Sequence, residues 1–355
     1  MANLINILAS VPTGLWQKII FAFSNAVKNY ALAIILLTLC IKIVMLPFDY
    51  LNRRASVKMT EIQEKLAPQM QKIKQRYPDQ ATQNQKINEL YQKEGFNPMG
   101  SCLPILISLV LSSVVFFTLW GGLNSVASYK ITTQYEKLQE AYLSDYSKTN
   151  SIDLANLTQE QKDNLVIEVS ESGETNLKIA QDNVKKEYKN VKDSFLWIKN
   201  VWIADSAFKK SIPTFESYAS TAKLKFENDA QKEQSKKVYE TVMANLESSQ
   251  GVNGYFILTI LAAGTTFLSQ YLNSKRTKKD KNKKTNYSQK ANINDPTQAQ
   301  ASTGKTMMII FPIIMGVFTL TSNAIFGIYI VTSQLFATAT APLINLIIKK
   351  TTKNK

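Results

Sequence analysis

The chain predicts an all-α fold: a polytopic membrane protein with a five-helix transmembrane core, a cytoplasmic helical hairpin and a helical extracytoplasmic insert. Three observations predict it. Five apolar stretches approach or exceed the roughly 20 residues that a helix needs to cross a bilayer. The net charge of +15 is concentrated in a few segments between and after those stretches. The polar segments repeat their apolar residues at steps of three and four, or show no strand alternation.

The elements follow in order. Residues 1–26 lack a basic start before an apolar run, and Pro12, Gly14 and Lys18 break the pattern of a cleavable signal. Leu15, Ile19, Ile20 and Phe23 instead give an amphipathic interfacial segment. The first span covers 27–48. Residues 49–97 read as a helical hairpin, with Met59, Ile62, Leu66, Met70, Ile73 and Tyr77 on one face of the first arm. Pro68 predicts a kink or break there, Tyr77-Pro-Asp-Gln80 a turn, and Ile87, Leu90 and Tyr91 mark a second arm ended by Gly95. So small a core predicts a mobile hairpin. The second span covers 101–121, followed by an insert at 122–250.

In the insert, Ile179, Val184, Tyr188, Val191 and Phe195 suggest one helix, and Leu224, Phe226, Val238, Val242 and Leu246 a less regular second one. Residues 147–158 read as loop. Phe195-Leu-Trp-Ile198 and Val201-Trp-Ile203 form an aromatic cluster suited to a membrane interface. The third span covers 253–273, a basic loop 274–305, the fourth span 306–322 and the fifth 324–348. Thr321, Ser322 and Asn323 separate the last two, whose combined length exceeds one crossing, so a tight hairpin is expected. A basic tail, 349–355, closes the chain.

Charge sets the expected topology. Residues 51–100 carry nine Lys/Arg against five acids, residues 274–305 nine against two, and the tail four Lys with no acid. Residues 121–250 hold 17 Lys against 19 acids and are nearly neutral. The positive-inside rule therefore puts the first three segments in the cytoplasm, and the N-terminus and insert outside. Lys275, Arg276, Lys278, Lys279, Lys349, Lys350, Lys353 and Lys355 exceed what orientation needs. Such disordered basic segments suit anionic lipid or a polyanion such as ribosomal RNA, bound through phosphate neutralisation without sequence-specific reading.

Chemistry is bounded by what is missing. The chain has no histidine and two cysteines, Cys40 and Cys102, both in expected spans. That excludes a disulfide framework, a zinc cluster and His-based catalysis. The polar residues inside the spans remain. Lys42 interrupts the first span, and an ionisable group at that depth either serves a function or snorkels to the interface. Thr38 lies one turn earlier on the same face. Thr259, Thr266 and Gln270 share a face of the third span, and Ser333 and Gln334 sit near the middle of the fifth. Single Ser and Thr residues usually join helices; Lys42 and Gln334 together point to a wet cavity.

Three stretches carry a resemblance to the YidC/Oxa family of membrane protein insertases. Residues 29–47, from Asn29 through Cys40-Ile-Lys-Ile to Pro47, resemble the family's first core span. Glu94-Gly-Phe-Asn-Pro-Met-Gly-Ser-Cys-Leu-Pro-Ile105 is similar to its Asn-Pro-Leu-Gly-Gly-Cys-Leu-Pro signature. Ile310-Phe-Pro-Ile-Ile-Met-Gly-Val-Phe, followed by Tyr329-Ile-Val-Thr-Ser-Gln-Leu, resembles the final hairpin. The resemblance implies a protein of the cell membrane with a hydrophilic groove open to the cytoplasm and to lipid. Lys42 matches the groove's basic residue, usually arginine, and so keeps the charge but loses the bidentate fork.

By the same resemblance, Lys42, Thr38, Thr259, Thr266, Gln270, Ser333 and Gln334 would meet the polar part of a nascent membrane protein. Phe116, Phe117, Trp120, Phe311, Ile314, Met315 and Phe318 would form a slide for its apolar segment. No ATP, metal or other cofactor and no catalytic residue is implied. The implied partners are nascent membrane proteins, lipid and the ribosome, with the Sec translocon an optional one. Two features depart from the family pattern: Ile107-Ser-Leu-Val-Leu-Ser112 follows the signature, and the insert is long. Two other functions compete. A small-solute transporter fits Lys42 but not the odd span count or the lack of an inverted repeat; a membrane anchor for a ribosomal partner rests on the basic segments alone.

Overall fold

The computed structural model describes residues 11–95, 98–247, 251–279 and 296–353, and the chain is an all-α, polytopic membrane protein. In chain order the helices are α1 (Leu15–Val27), α2 (Tyr30–Arg76), α3 (Gln80–Lys93), α4 (Pro98–Thr149), α5 (Gln159–Glu171) and α6 (Glu174–Val191). They continue with α7 (Phe215–Ala222), α8 (Asp229–Glu247), α9 (Ile257–Lys279), α10 (Pro296–Thr321) and α11 (Ala324–Lys353). Among the described residues the only β pairing is two isolated bridges, Phe195 with Ile198 and Lys210 with Val252.

Three segments are long and apolar enough to cross a membrane: Tyr30–Met59, Leu106–Thr149 and Ala324–Thr351. Ile257–Leu272 and Ile309–Thr321 are shorter apolar stretches within α9 and α10.

The helices run further than their apolar stretches. α2 passes through Pro47 and Pro68 without interruption, so the first arm of the hairpin is the same helix as the first span. A proline removes one backbone donor and crowds the preceding turn, but the turns on either side keep their own bonds and the helix continues. α4 likewise continues to Thr149, well into the insert. α9 extends through Lys279 and α11 through Lys353, because no glycine or proline follows the apolar stretch and Lys and Arg are good helix formers.

The chain forms two compact units. One comprises Leu39–Leu119 and Phe336–Lys355. Its hairpin is held by Leu66, Met70, Ile87 and Tyr91, with Met59, Ile62, Ile73 and Leu90 packed around them. The turn between α2 and α3 is short because Asp79 caps α3, accepting the Thr82 N–H at 2.8 Å, while Gln83 Nε2 donates to Tyr77 O at 2.6 Å. Lys65 pairs with Glu94 across the open end. The Thr82 N–H, the Thr82 hydroxyl and the N–H groups of Ala81 and Gln80 together pull the Asp79 carboxyl below its usual range.

The other unit comprises Met1–Thr38 and Trp120–Leu335. Here α1 packs on α4: the Trp16 side chain lies against Gly122, and Phe21 meets Tyr129 edge-on at 5.7 Å. The rest of α4, with α5, α6, α7 and α8, builds the insert around Leu138, Leu143, Val166, Val184, Val242 and a stack of Tyr135, Tyr218 and Tyr239. A capping box between Thr158 and Gln161 starts α5. Asp163 is buried, and its Oδ1 accepts from Gln139 and Gln159, both at 2.8 Å. Burial outweighs those bonds and raises its carboxyl above the ordinary value.

Candidate functional site

Within the unit holding α2 beyond Thr38, Lys42 is half-buried in the helix and flanked by exposed Ile43 and Val44. It has no ion-pair partner within 4 Å among the described residues. The charge it feels is that of Asp49, two turns on, which also feels Arg53 one turn further. Seven residues of helix rise about 10 Å, so Lys42 is linked to an acid through space rather than by contact. In the same unit Asn52 Nδ2 donates to the buried Ser108 Oγ at 3.4 Å, joining α2 to α4.

The second polar set lies in the other unit, around α9, α10 and the start of α11. Thr38 of that unit is buried, but its hydroxyl donates to Ile34 O at 2.6 Å and so is satisfied within its own helix. Thr265, Thr319 and Thr321 bond back in the same way. Thr259 and Thr266 do not: both hydroxyl oxygens are buried without a partner among the described residues. They are seven residues apart on one face of α9. That face approaches Gly316 of α10, where a side-chain methyl would stand 3.6 Å from Ala263 Cβ and 3.9 Å from Thr259 Cγ2. Gln270 is half-buried on α9; Ser333 is buried and Gln334 half-buried on α11. A buried hydroxyl of this kind carries an unmet hydrogen bond.

The aromatic residues divide by surroundings. Phe116 and Phe117 meet edge-on at 5.3 Å, and Phe117 is exposed in a row with Leu106, Val110 and Val114. Trp120 packs on Phe318 at 6.0 Å and Phe326 at 6.3 Å, with its indole N–H buried and unpartnered. On α10, Phe311 and Ile314 are exposed with Ile310, Ile313 and Val317, whereas Met315 is turned inward. That leaves Phe311 and Ile314 on an open apolar face and Met315 in the packing beneath it.

Lys349 and Lys350 are exposed on the last turns of α11, and the backbone of Lys353 belongs to the same helix. The backbones of Lys275, Arg276, Lys278 and Lys279 belong to α9. A helical scaffold spaces these charges at fixed intervals, unlike the disordered segments expected from composition. Lys355 lies outside the described residues. Among the described residues no group of three His, Cys, Asp or Glu could hold a metal.

Sequence reasoning missed one constellation. Asp205 is buried beside the start of α9, its Oδ1 accepting the Tyr255 N–H at 2.8 Å and its Oδ2 the Leu258 N–H at 2.6 Å. Trp197 Nε1 donates to it at 3.3 Å. Asn253 bonds the backbone carbonyls of Asn200, Ile203 and Ala204 through its Nδ2. Ile203 O and Val201 O accept the Ala324 and Ile325 N–H groups that open α11, both at 3.1 Å. One loop thus terminates two spans. The partners are distant in sequence, and no local pattern announces them.

The profile of the 60Kd inner membrane protein family matches residues 22–353. A protein named membrane protein insertase YidC from Methylobacillus flagellatus is 36% identical over 107 residues, covering 30% of this chain and 19% of that protein. Membrane protein insertase YidC 1 of Streptococcus agalactiae serotype V is 33% identical over 137 residues, covering 36% and 48% respectively. The corresponding Geobacter sulfurreducens protein is 36% identical over 102 residues, or 28% and 18%. The matched stretches span less than half of each relative. Because that profile covers residues 22–353, most of its length, the chain belongs to the 60Kd inner membrane protein family, also called YidC/Oxa.

Proposed function

We propose that this protein is a membrane protein insertase. It receives the polar segment of a nascent membrane protein in a hydrophilic groove and releases the apolar segment into lipid. Its N-terminus faces outward and its C-terminus the cytoplasm, as the distribution of Lys and Arg favours. The observation that carries the reading is Lys42: a half-buried cation without an ion pair among the described residues, inside an apolar span of a YidC/Oxa family member. The names of the relatives support the same reading.

The chemistry is non-covalent. Lys42 attracts acidic and polar client residues, and the unpaired hydroxyls of Thr259 and Thr266 accept or donate in place of lost water. Within the unit that holds Thr259 and Thr266, Gln270, Ser333 and Gln334 offer further polar groups to the client. The client's apolar helix leaves along the exposed face of Phe311 and Ile314 because burial in lipid lowers its free energy. Ribosomes delivering the client meet Lys349, Lys350 and the basic end of α9 through phosphate contacts.

A photoreactive side chain placed at Thr266, with a control at exposed Glu233 on α8, tests this. With ribosome-bound nascent chains of a membrane protein, position 266 is expected to crosslink the client and position 233 is not. Equal labelling at both positions, or capture of only a small solute at 266, would reject the proposal.

A further inference from the structure

The loops that end the spans on the insert side carry an apolar surface that the fold does not use. Phe208 is 90% exposed, Leu196 75% and Tyr255 59%. These are not loosely hung side chains. Residues 206–211 are tied to 251–254 by Asn253 N–H to Lys209 O at 2.7 Å, Ser211 N–H to Gly251 O and Gly254 N–H to Ser206 O, both at 3.3 Å. Phe208 meets Phe256 edge-on at 5.2 Å. Leu196 and Phe256 are held at φ of +52° and +61°, a region that bulky residues rarely occupy and that the surroundings must enforce. The loop is therefore built to present these groups.

Its depth is fixed by the span ends around it. Asp205 caps α9, whose first residue, Ile257, directly follows Phe256. Val201 O and Ile203 O cap α11, and Trp202 packs edge-on against Tyr30, the first residue of α2, at 4.9 Å. The exposed apolar side chains thus sit on loops tied directly to the first turns of α9 and α11. Charge completes the match. Lys209 and Lys210 are exposed and have no ion pair among the described residues. The acids of the same loops are engaged: Asp193 with Lys130 at 3.4 Å and the Trp202 indole at 2.6 Å, Asp205 with the α9 N–H groups.

We propose that Leu196, Phe208 and Tyr255, with Lys209 and Lys210, dock on acidic phospholipid headgroups in the leaflet on the insert side. The apolar side chains enter between acyl chains, and the two ammonium groups meet lipid phosphates. This surface holds the insert against the membrane independently of how clients are handled.

The test uses the full chain carrying Cys40→Ser and Cys102→Ser, with Phe208→Cys bearing an environment-sensitive fluorophore. It is placed in bilayers of phosphatidylcholine alone or mixed with phosphatidylglycerol. The label is expected to be blue-shifted and quenched by headgroup-level nitroxide lipid in the mixed bilayer. That quenching should fall about threefold or more in phosphatidylcholine alone, at high salt, or with Lys209→Glu and Lys210→Glu. The same label at Glu233 should stay unquenched. Full access to aqueous iodide with no lipid quenching would overturn the proposal. Equal quenching in both bilayers would overturn the acidic headgroup, and quenching only between labelled protein copies would make the surface a protein interface instead. Unchanged circular dichroism of each variant separates loss of docking from loss of fold.

Discussion

Replacing Asp205 by alanine should loosen the start of α9 without unfolding the insert. The carboxylate is 1% exposed and accepts three donors: Tyr255 N–H at 2.8 Å, Leu258 N–H at 2.6 Å and Trp197 Nε1 at 3.3 Å. Leu258 is also buried, so its N–H would lose an acceptor that water cannot replace, at a cost of roughly 1–3 kcal/mol. Loss of the capping interaction with the positive helix end adds about 1 kcal/mol. The total of about 3 kcal/mol corresponds to a roughly hundredfold rise in local opening.

Hydrogen exchange of amides 255–260 in lipid nanodiscs reads that opening directly. Amides around Val166 and Val184, in α5 and α6, serve as the internal reference. Asp205→Asn keeps one acceptor oxygen and should fall between wild type and alanine. Gly254→Ala should reproduce the alanine effect by another route, because a methyl there would lie 1.7 Å from Asp205 Oδ1 and displace it. Unchanged protection at 255–260 in Asp205→Ala would refute the idea that this carboxylate holds the span end.

Burial raises the Asp163 carboxyl, so its folded value lies above its unfolded one, about 3.9. Its contribution is therefore favourable below that unfolded value and is lost as pH rises through the folded one. Asp163→Asn, which keeps a carbonyl for Gln139 and Gln159, should raise the melting temperature of the insert at neutral pH and flatten this part of its pH profile; calorimetry at several pH values checks both. Leu66→Ala removes a fully buried side chain from the small hairpin core and should cost about 2–3 kcal/mol there, seen as faster exchange across 62–91 with the insert unaffected. Ribosome binding should weaken steeply with salt if phosphate contacts carry it, and Lys349→Glu with Lys350→Glu should reduce that slope in a co-sedimentation titration.

Much of the fold was written in local patterns. The apolar stretches, the turn at 77–79 and the face of Met59, Ile62, Leu66, Met70 and Ile73 follow from spacing alone, and that face is the one that packs. The continuation of α4 also left a signal: Leu123, Ala127, Ile131, Tyr135, Leu138 and Tyr142 recur at steps of three and four, and all are buried. The close approach of Trp16 to Gly122 gives that glycine a packing role within α4. Pro68 misled, since one lost bond does not end a helix of 47 residues.

The polar residues were legible as types but not as partners. Thr38 and Thr266 look alike in sequence, yet one hydroxyl is satisfied at 2.6 Å and the other is buried and unpaired. Asp205 and Asn253 were invisible because their work is to join loops that only the folded chain brings together.

Client insertion into protein-containing vesicles tests the central claim most directly. Vesicles holding the wild-type protein should protect the translocated segment of a single-span client from protease well above empty vesicles. Lys42→Arg should keep that protection, because the charge is retained, and Lys42→Glu should lose most of it. Protection by Lys42→Glu equal to wild type would remove the positive charge from the mechanism, and protection no greater than in empty vesicles for the wild type would contradict the insertase assignment itself.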